Sequence, residues 1–464
     1  MWSTRAPRSL ILMGLTVGAF KLLSACGADE APPESADAGT DASTLPGDAA
    51  VPPTDANASN DATVTEDTGV DGALDDAAAD AQTDDASDGS TDAQTPVDAG
   101  PPAVQFIGRF DLRSPTEPRA AWPGTRIIAR FQGTSSVSVT LDEHYETWMA
   151  PPGGGAPSEW DVIVDDVPTK KLVMTQGTMT YPLATGLSAG PHKVELFKRS
   201  ETQNGITQFM GFDFHGGALL PPPLRATRRI EVIGDSSSTG YGVETTGAPF
   251  NDCPGPDNAA KHQNFRKAWP SVVGRMTSAE VHGIVYSGKG LTRNVFRPDT
   301  DTIAQFYPRA NPNPNLQGNP PLFDLSSWTP DAIVIMLGAN DFSDGSGSPN
   351  PGPATAGEFL SAYRSFVGTT LRPLYPSALI VLAVSPSVVD GQPGNGALTR
   401  TNIENTITTV VSERIAAGDT KVTAFAPAVS PADELDGCGG HGNPKYHDRI
   451  ATELAKTLKA KLGW

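Results

Sequence analysis

The chain of 464 residues has a formal net charge of −19 and three cysteines. All of the excess charge lies in residues 27–102, which contain 19 Asp or Glu and no Lys or Arg, so it says nothing about ligands of the remainder. The sequence has no basic stripe, no glycine-rich phosphate-binding loop and no HExxH spacing among its seven histidines. These observations argue against a nucleic-acid partner, a bound nucleotide or a metal, and we expect no cofactor.

Residues 1–26 predict a secretory signal peptide, with two arginines before an apolar run at 10–20. The segment ends Leu23-Ser24-Ala25-Cys26, which resembles a bacterial lipobox. That resemblance implies that Cys26 becomes lipid-modified and forms the mature N-terminus. An ordinary signal peptide is the alternative, because Lys21 lies inside the apolar run. The run is too short for a spanning helix, so we expect a lipid-anchored or secreted protein of the bacterial cell envelope that contacts the membrane only through its anchor.

Residues 27–102 are predicted to form a disordered linker. The segment has no aromatic residue and only acidic charges, so it cannot bury enough apolar surface to offset its chain entropy. Repulsion between its carboxylates extends it. We interpret it as a spacer between the membrane and the folded part.

Residues 103–222 are predicted to form an all-β jelly-roll or sandwich domain. Apolar and polar residues alternate in short runs at 126–131, 136–141, 160–164 and 192–197. Clusters of Pro, Gly, Asp and Ser separate these runs, as is typical of antiparallel strands joined by turns.

Residues 228–464 have a different pattern, in which apolar strands alternate with helices. The predicted strands are 230–233, 281–286, 331–337, 378–384 and 421–425, and the predicted helices are 258–276, 354–374, 402–417 and 444–462. In the last helix Asn443 is the expected cap, because Pro444 suits the first helical turn. Such alternation predicts an α/β domain with a parallel sheet between helices.

Four short motifs follow the predicted strands or open the last helix. They are Gly-Asp-Ser at 234–236, Ser-Gly-Lys-Gly at 287–290, Gly-Ala-Asn-Asp at 338–341, and His441. Each alone is compatible with ordinary turn chemistry. Together they strengthen the expectation of a catalytic serine at the carboxyl end of a parallel strand, where open α/β sheets place their reaction sites.

In this order the motifs resemble the SGNH (GDSL-like) hydrolase superfamily. Residues 105–222 add a resemblance to the N-terminal jelly roll of carbohydrate esterase family 2, carried by the segments 108–110, 122–124, 131–133, 192–199 and 208–212. The resemblance covers residues 105–464 and implies a serine esterase that removes acetyl groups from polysaccharides such as xylan.

The resemblance also implies the roles of the site residues. Ser236 would be the nucleophile and His441 its general base. The backbone N–H groups of Ser236 and Gly288 and the side-chain amide of Asn340 would form the oxyanion hole.

The histidine motif departs from the family pattern, because no carboxylate lies in the three residues before His441. A backbone carbonyl could orient the imidazole in a Ser-His dyad, Asp436 could reach back to it, or the site could be impaired. His447 is the alternative base.

Two further expectations concern the surroundings of the site. Cys253 and Cys438 could form a disulfide between the serine and histidine loops, with two free thiols as the alternative. Tyr145, Trp148 and Trp160 could stack on sugars or belong to the core of the β domain.

The sequence thus favours a monomeric polysaccharide O-deacetylase. A broader carboxylesterase or lipase of GDSL type, and a catalytically impaired carbohydrate-binding surface protein, are the alternatives.

Overall fold

The computed structural model describes residues 103–145, 156–245, 258–312 and 321–464, without the side chains of 258 and 259. All of these residues belong to one compact unit. The predicted signal peptide with Cys26, the predicted linker at 27–102, Trp148 and Cys253 lie outside the described residues.

Residues 103–222, here called the N-terminal half, form the predicted antiparallel sandwich. Its strands are β1 (Gln105–Ile107), β2 (Phe110–Asp111), β3 (Arg119–Ala120), β4 (Arg126–Gln132), β5 (Ser136–His144), β6 (Glu159–Val164), β7 (Val167–Val173), β8 (Gly177–Thr185), β9 (His192–Lys198), β10 (Ile206–Asp213) and β11 (Ala218–Leu220). One sheet has the order β1-β4-β9-β6-β7 with β11 beside β4, and the other has the order β2-β3-β10-β5-β8. Alternating apolar side chains from both sheets fill the space between them.

The C-terminal half, residues 228–464, contains the predicted parallel sheet. Its strands are β12 (Arg228–Gly234), β13 (Ala279–Val285), β14 (Ala332–Met336), β15 (Leu379–Ala383) and β16 (Val422–Phe425), in the order β13-β12-β14-β15-β16. Each of the five predicted strands is present, with ends that differ by at most two residues from the prediction.

The helices of this half are α1 (Ser236–Thr239), α2 (Asn258–His262), α3 (Trp269–Thr277), α4 (Ile303–Phe306), α5 (Ala356–Ser365), α6 (Arg372–Leu374), α7 (Thr399–Ala416) and α8 (Pro444–Leu462). The predicted last helix is confirmed, including the Asn443 side chain, which accepts hydrogen bonds from the N–H groups of Lys445 and Tyr446.

Two predicted helices are interrupted in the structure. The single helix expected at 258–276 is wrong, because Pro270 lacks the N–H that a continuous helix needs and instead starts α3 as one of its first two residues. The helix expected at 354–374 is present but widens into a π-helical segment, Phe366–Leu371, just before Pro373.

Both faces of the parallel sheet are covered, as predicted. Side chains of α5 and α7 pack with Ile233 and Ile335 on one face, and those of α3 and α8 pack with Val232 and Val334 on the other. None of the helices among the described residues combines the length and apolar character needed to cross a membrane.

The two halves share their hydrophobic cores. Trp122 from the N-terminal half packs within one core of the C-terminal half, and Ile163 and Phe197 pack within the other. A buried ion pair adds to this contact, with Arg109 Nη2 2.7 Å from Glu231 Oε1. The Tyr307 hydroxyl donates to the second oxygen of Glu231 at 2.7 Å, so this carboxylate is fully engaged.

We expect Glu231→Gln to destabilise the protein by about 3–5 kcal/mol, because the buried guanidinium of Arg109 would lose its counter-charge. Urea denaturation of the full chain measures this loss. Glu413→Gln is the matched control, since the pair that Glu413 forms with Arg364 is about half exposed and screened by solvent, so its loss should change stability little. Equal, small effects of both substitutions would contradict the expectation.

Candidate active site

The register of the parallel sheet brings three of the four motifs to one edge. Gly234, the last residue of β12, is paired with Val285 on β13 and with Met336 on β14. The segments that follow these strands therefore start side by side. The strands β13 and β14 flank β12 on opposite sides, so the connections leave β12 in opposite directions and open a crevice beside Ser236.

Ser236 lies at the first position of α1, directly after β12. The Asp235 side chain caps this helix by accepting a hydrogen bond from the Ser237 N–H at 2.9 Å. A Cβ atom on Gly234 would lie 2.4 Å from the Ser238 hydroxyl oxygen, so only glycine lets the strand turn this tightly into the helix.

A cavity of about 360 Å³ lies at this edge and joins the predicted site residues. Ser236, Gly288, Asn340 and His441 all line it. The other lining residues are Ser237, Tyr241, Ser287, Val295, Ala339, Ser343, Ser387, Val388, Gln392, Asn395, Gly439 and Gly440. Among the described lining residues, only the imidazole of His441 is ionisable near neutral pH.

His441 is oriented by a backbone carbonyl. Its Nδ1 atom lies 3.1 Å from the Cys438 carbonyl oxygen, which can only accept a hydrogen bond, so Nδ1 carries the proton. The lone pair is then on Nε2, as a general base requires. The ring also packs against Tyr241, with centroids 4.5 Å apart. Gly439 has φ of +66°, and a Cβ atom there would lie 3.2 Å from Nδ1 of the histidine, which explains a glycine at this position.

Asp436 and His447 have other partners. The Asp436 carboxylate accepts a hydrogen bond of 2.6 Å from Asn443 Nδ2. His447 is buried in the core, where its Nδ1 accepts from the Trp269 N–H at 3.2 Å, and it does not line the cavity. Burial, together with the nearby His441, lowers the pKa of His447 to about 3.

The three predicted oxyanion donors differ in their availability. Within the described residues, the N–H groups of Ser236 and Gly288 have no hydrogen-bond acceptor. Asn340 Nδ2 donates to the Lys289 carbonyl at 2.8 Å and has a longer contact of 3.3 Å with Asp235 Oδ2. No hydrogen bond joins Ser236 Oγ to His441 among these residues; such bonds are often long without substrate and tighten in the complex.

Burial dominates the electrostatics of the site. Desolvation lowers the pKa of His441 below its ordinary value, although the bonds to the Cys438 and Gly439 backbone oppose the shift. Desolvation also raises the pKa of Asp235 to about 7, against the hydrogen bonds from Ser237. No group of three or more His, Cys, Asp or Glu side chains in the described ranges is arranged to hold a metal ion.

Asp341, for which the sequence predicted no role, binds the loop at residues 291–293. Its buried carboxylate accepts from the Thr292 N–H and hydroxyl, both at 2.6 Å, and from the N–H groups of Leu291 and Arg293 at 3.1 and 3.0 Å. The Asn-Asp pair at 340–341 was the available signal, since two polar residues directly after a buried strand need partners.

Two expectations about the surroundings have different outcomes. The sugar-stacking role considered for Trp160 is wrong, because its side chain is fully buried in the sandwich and its Nε1 donates to Thr207 Oγ1. Tyr145 is half-buried, and no contact with a sugar can be assigned to it. Cys438 is disulfide-bonded, but Cys253 lies outside the described residues, so the pairing stays a prediction.

Comparison with known proteins adds family evidence. Residues 106–223 match the model of the carbohydrate esterase 2 N-terminal domain, and residues 230–454 match that of GDSL-like lipases and acylhydrolases. A cellulase/esterase, CelE, from Acetivibrio thermocellus is 32% identical over 374 residues. The match covers 80% of this chain but only 41% of the length of CelE. An acetylxylan esterase/glucomannan deacetylase from Cellvibrio japonicus is 23% identical over 79% of this chain and 91% of its own length.

The solved structures include a family two carbohydrate esterase from Clostridium thermocellum in complex with cellohexaose. It is 30% identical, with a TM-score of 0.67, over 78% of this chain and 100% of the solved chain. The chain therefore belongs to carbohydrate esterase family 2 and has both parts of its architecture, an N-terminal β domain and a GDSL-type α/β hydrolase domain.

Proposed function

We propose that this carbohydrate esterase removes O-acetyl groups from a xylan-like polysaccharide through an acyl-enzyme on Ser236. The observation that carries the proposal is the meeting of Ser236, Gly288, Asn340 and His441 around one cavity. A nucleophile, a base and amide donors are the groups that acyl transfer needs.

In the proposed reaction Ser236 Oγ attacks the acetyl carbonyl while His441 Nε2 takes its proton. The negative charge that develops on the carbonyl oxygen is stabilised by the N–H groups of Ser236 and Gly288. The third donor is Asn340, whose 3.3 Å contact with Asp235 is the weaker of its two and the one that an oxyanion can displace. His441 returns the proton to the leaving sugar oxygen, and water, activated by the same imidazole, then releases acetate.

The proposed machinery is a Ser-His dyad in which the Cys438 carbonyl replaces the acid of a triad. A carbonyl dipole fixes the tautomer and the ring orientation as a carboxylate would, but it stabilises the imidazolium less. The engagement of Asp436 with Asn443 supports this proposal over a triad.

The nature of the relatives and of the cavity supports a neutral, acetylated sugar as substrate. One relative is named a cellulase/esterase and another an acetylxylan esterase/glucomannan deacetylase. Gln392 and Asn395 line the cavity half-buried, and within the described residues their side-chain amides form no hydrogen bond. Such amides suit the hydroxyl groups of the leaving sugar, whereas an acyl chain of a lipid would favour an apolar wall.

We also propose that the enzyme acts outside the cytoplasm as a monomer, held at the cell envelope by a lipid on Cys26. The sequence Leu23-Ser24-Ala25-Cys26 after an apolar run supports the anchor. The acidic segment at 27–102 would then let the enzyme reach an insoluble polymer.

Ser236→Ala and His441→Ala should each lower kcat by at least about 10³-fold, because nucleophile and base act as a unit. The measurement is acetate release from acetylated xylan and hydrolysis of 4-nitrophenyl acetate by the full chain. Activity that survives in His441→Ala would contradict the assigned base and point to His447. A folded but inactive wild type would favour a binding protein.

Asp436→Asn distinguishes the dyad from a triad in the same assays. Loss of a triad acid costs about 10⁴-fold in kcat, whereas a dyad predicts a change within about twofold. A large loss would show that Asp436 orients His441 during the reaction.

The acidic limb of kcat/KM should lie below pH 6.5, the ordinary value for histidine. Burial penalises the imidazolium, so the pKa of His441 is lowered and the base stays neutral, and active, to lower pH. The pH profile of 4-nitrophenyl acetate hydrolysis measures the limb. A limb near pH 7 that moves in Asp235→Asn would show that Asp235 sets it instead, which would contradict the expectation.

The double substitution Gln392→Ala/Asn395→Ala should lower kcat/KM for acetylated xylo-oligosaccharides about 30-fold, since each of the two lost hydrogen bonds costs about 1 kcal/mol. Hydrolysis of 4-nitrophenyl acetate, which has no sugar, should change less than twofold. Asn350→Ala, at an exposed amide outside the cavity, is the matched control. Equal losses on both substrates would show that the amides do not contact the sugar.

A further inference from the structure

A polar loop of the N-terminal half, residues 199–204, lies at the floor of the active site. The six residues, Arg-Ser-Glu-Thr-Gln-Asn, follow β9, and none is more than 5% exposed. The loop is bound to the C-terminal half by several hydrogen bonds, including Phe265 N–H to the Arg199 carbonyl at 2.9 Å and Thr202 Oγ1 to the Val285 carbonyl at 3.3 Å. Buried polar groups need hydrogen-bond partners, and the C-terminal half provides them here. The loop is therefore an integral part of the interface between the two halves.

Glu201 is the member of this loop that reaches the site. Its Oε1 accepts from Ser287 Oγ at 2.7 Å and from Thr239 Oγ1 at 3.0 Å. Its Oε2 accepts from the Ser287 N–H and from Gln203 Nε2, both at 3.0 Å. Both oxygens are thus saturated by donors, and two of the four bonds come from the single residue Ser287.

A buried lysine provides the counter-charge. Lys198 is fully buried, and its Nζ donates to the Glu201 backbone carbonyl at 3.0 Å and to the Asn204 carbonyl at 3.3 Å. Burial lowers the pKa of this ammonium to about 8, against the attraction of Glu143 and Glu201. The ammonium limits the repulsion that a buried carboxylate would exert on a nearby oxyanion.

The partners of Glu201 are attached to the proposed oxyanion donors. Ser287 directly precedes Gly288, so its N–H and hydroxyl fix the peptide that leads into the second donor. Thr239 is the last residue of α1, whose first residue is Ser236, and its hydroxyl also lies 3.2 Å from the Ser236 carbonyl oxygen. One carboxylate thereby joins the two chain segments that must hold their N–H groups at a fixed separation.

We propose that Glu201, from the N-terminal β domain, is a positioning residue that sets the oxyanion hole through Ser287 and Thr239. The inference rests on the proposed function of the same cavity. It gives the β domain a part in the proposed chemistry, although none of the domain's described residues lines the cavity.

The test compares Glu201→Gln with the wild type in hydrolysis of 4-nitrophenyl acetate. The carbonyl oxygen of glutamine can replace only one carboxylate oxygen, and its NH2 group can only donate. At least two of the four hydrogen bonds must therefore reverse their direction or break, and the negative charge opposite Lys198 is lost, which loosens the Ser287 and Thr239 segments. Loss of a whole oxyanion donor costs about 10²–10³-fold in kcat, and misplacement of one should cost about tenfold, with KM nearly unchanged. Glu231→Gln is the control, because it removes a buried carboxylate at the same interface without contact with the cavity and should lower stability but not the kcat of folded protein.

Ser287→Ala is a milder second variant, which removes one of the four bonds and keeps the chain folded if Glu201→Gln does not. We expect it to lower kcat several-fold. In a double-mutant cycle the two substitutions should not be additive, because both break the same contact.

The outcomes separate the two proposals. An inactive wild type would overturn the proposed function and the role of Glu201 with it. An active wild type with an unchanged kcat in Glu201→Gln, or additive effects in the cycle, would overturn only the role of Glu201. Equal losses of kcat in Glu201→Gln and Glu231→Gln would also overturn it, since a general loosening of the interface would then be the cause.

Discussion

A desolvated carboxylate must have donors for both oxygens, and this constraint ties the active site of the chain together. Glu201 meets it with bonds from the segment after β13, from the helix that follows β12 and from its own loop. Because an unsatisfied buried charge is destabilising, these hydrogen bonds couple the three segments to one another. Glu201 of the β domain therefore holds one part of this edge of the parallel sheet. Asp341 holds the adjacent loop, where its buried carboxylate also accepts both the N–H and the hydroxyl of one residue, Thr292.

The histidine is held by different means. A short turn at 437–441 brings the Cys438 carbonyl to Nδ1, and glycines with positive φ at 439 and 440 make this turn possible. Aromatic contact with Tyr241 and the disulfide at Cys438 restrict the turn further. Orientation thus comes from backbone geometry, and no buried negative charge is needed next to the proposed base.

Much of this architecture follows from the sequence. Period-two alternation and apolar strand runs gave the sandwich and all five strands of the parallel sheet, since these patterns reflect burial directly. The motifs at 234–236, 287–290 and 338–341 meet because parallel strands end in register. Proline positions explain the two interrupted helices, a rule that was available but outweighed by the apolar pattern at 258–276.

The remainder depends on contacts distant in sequence. The loop at 199–204 has the composition of an exposed turn, and only the docking of the other half buries it, so no local pattern identifies Glu201. The carbonyl group that binds His441 cannot be predicted from the sequence either, because every residue has a carbonyl and only the geometry of the turn determines which one lies next to the imidazole. Trp160, an aromatic on an alternating strand, reads the same whether it faces the core or a sugar.

The shared core of the two halves has an evolutionary consequence. Trp122, Ile163 and Phe197 would be left facing water if the β domain were separated from the hydrolase domain, and Ser287 beside the candidate site would lose its hydrogen bonds to Glu201. Recombination between genes can therefore exchange segments outside this pair, such as a tether or an additional module, but not one member of the pair for an unrelated domain. We therefore expect the two halves to be inherited together, and an engineer would have to transplant them together.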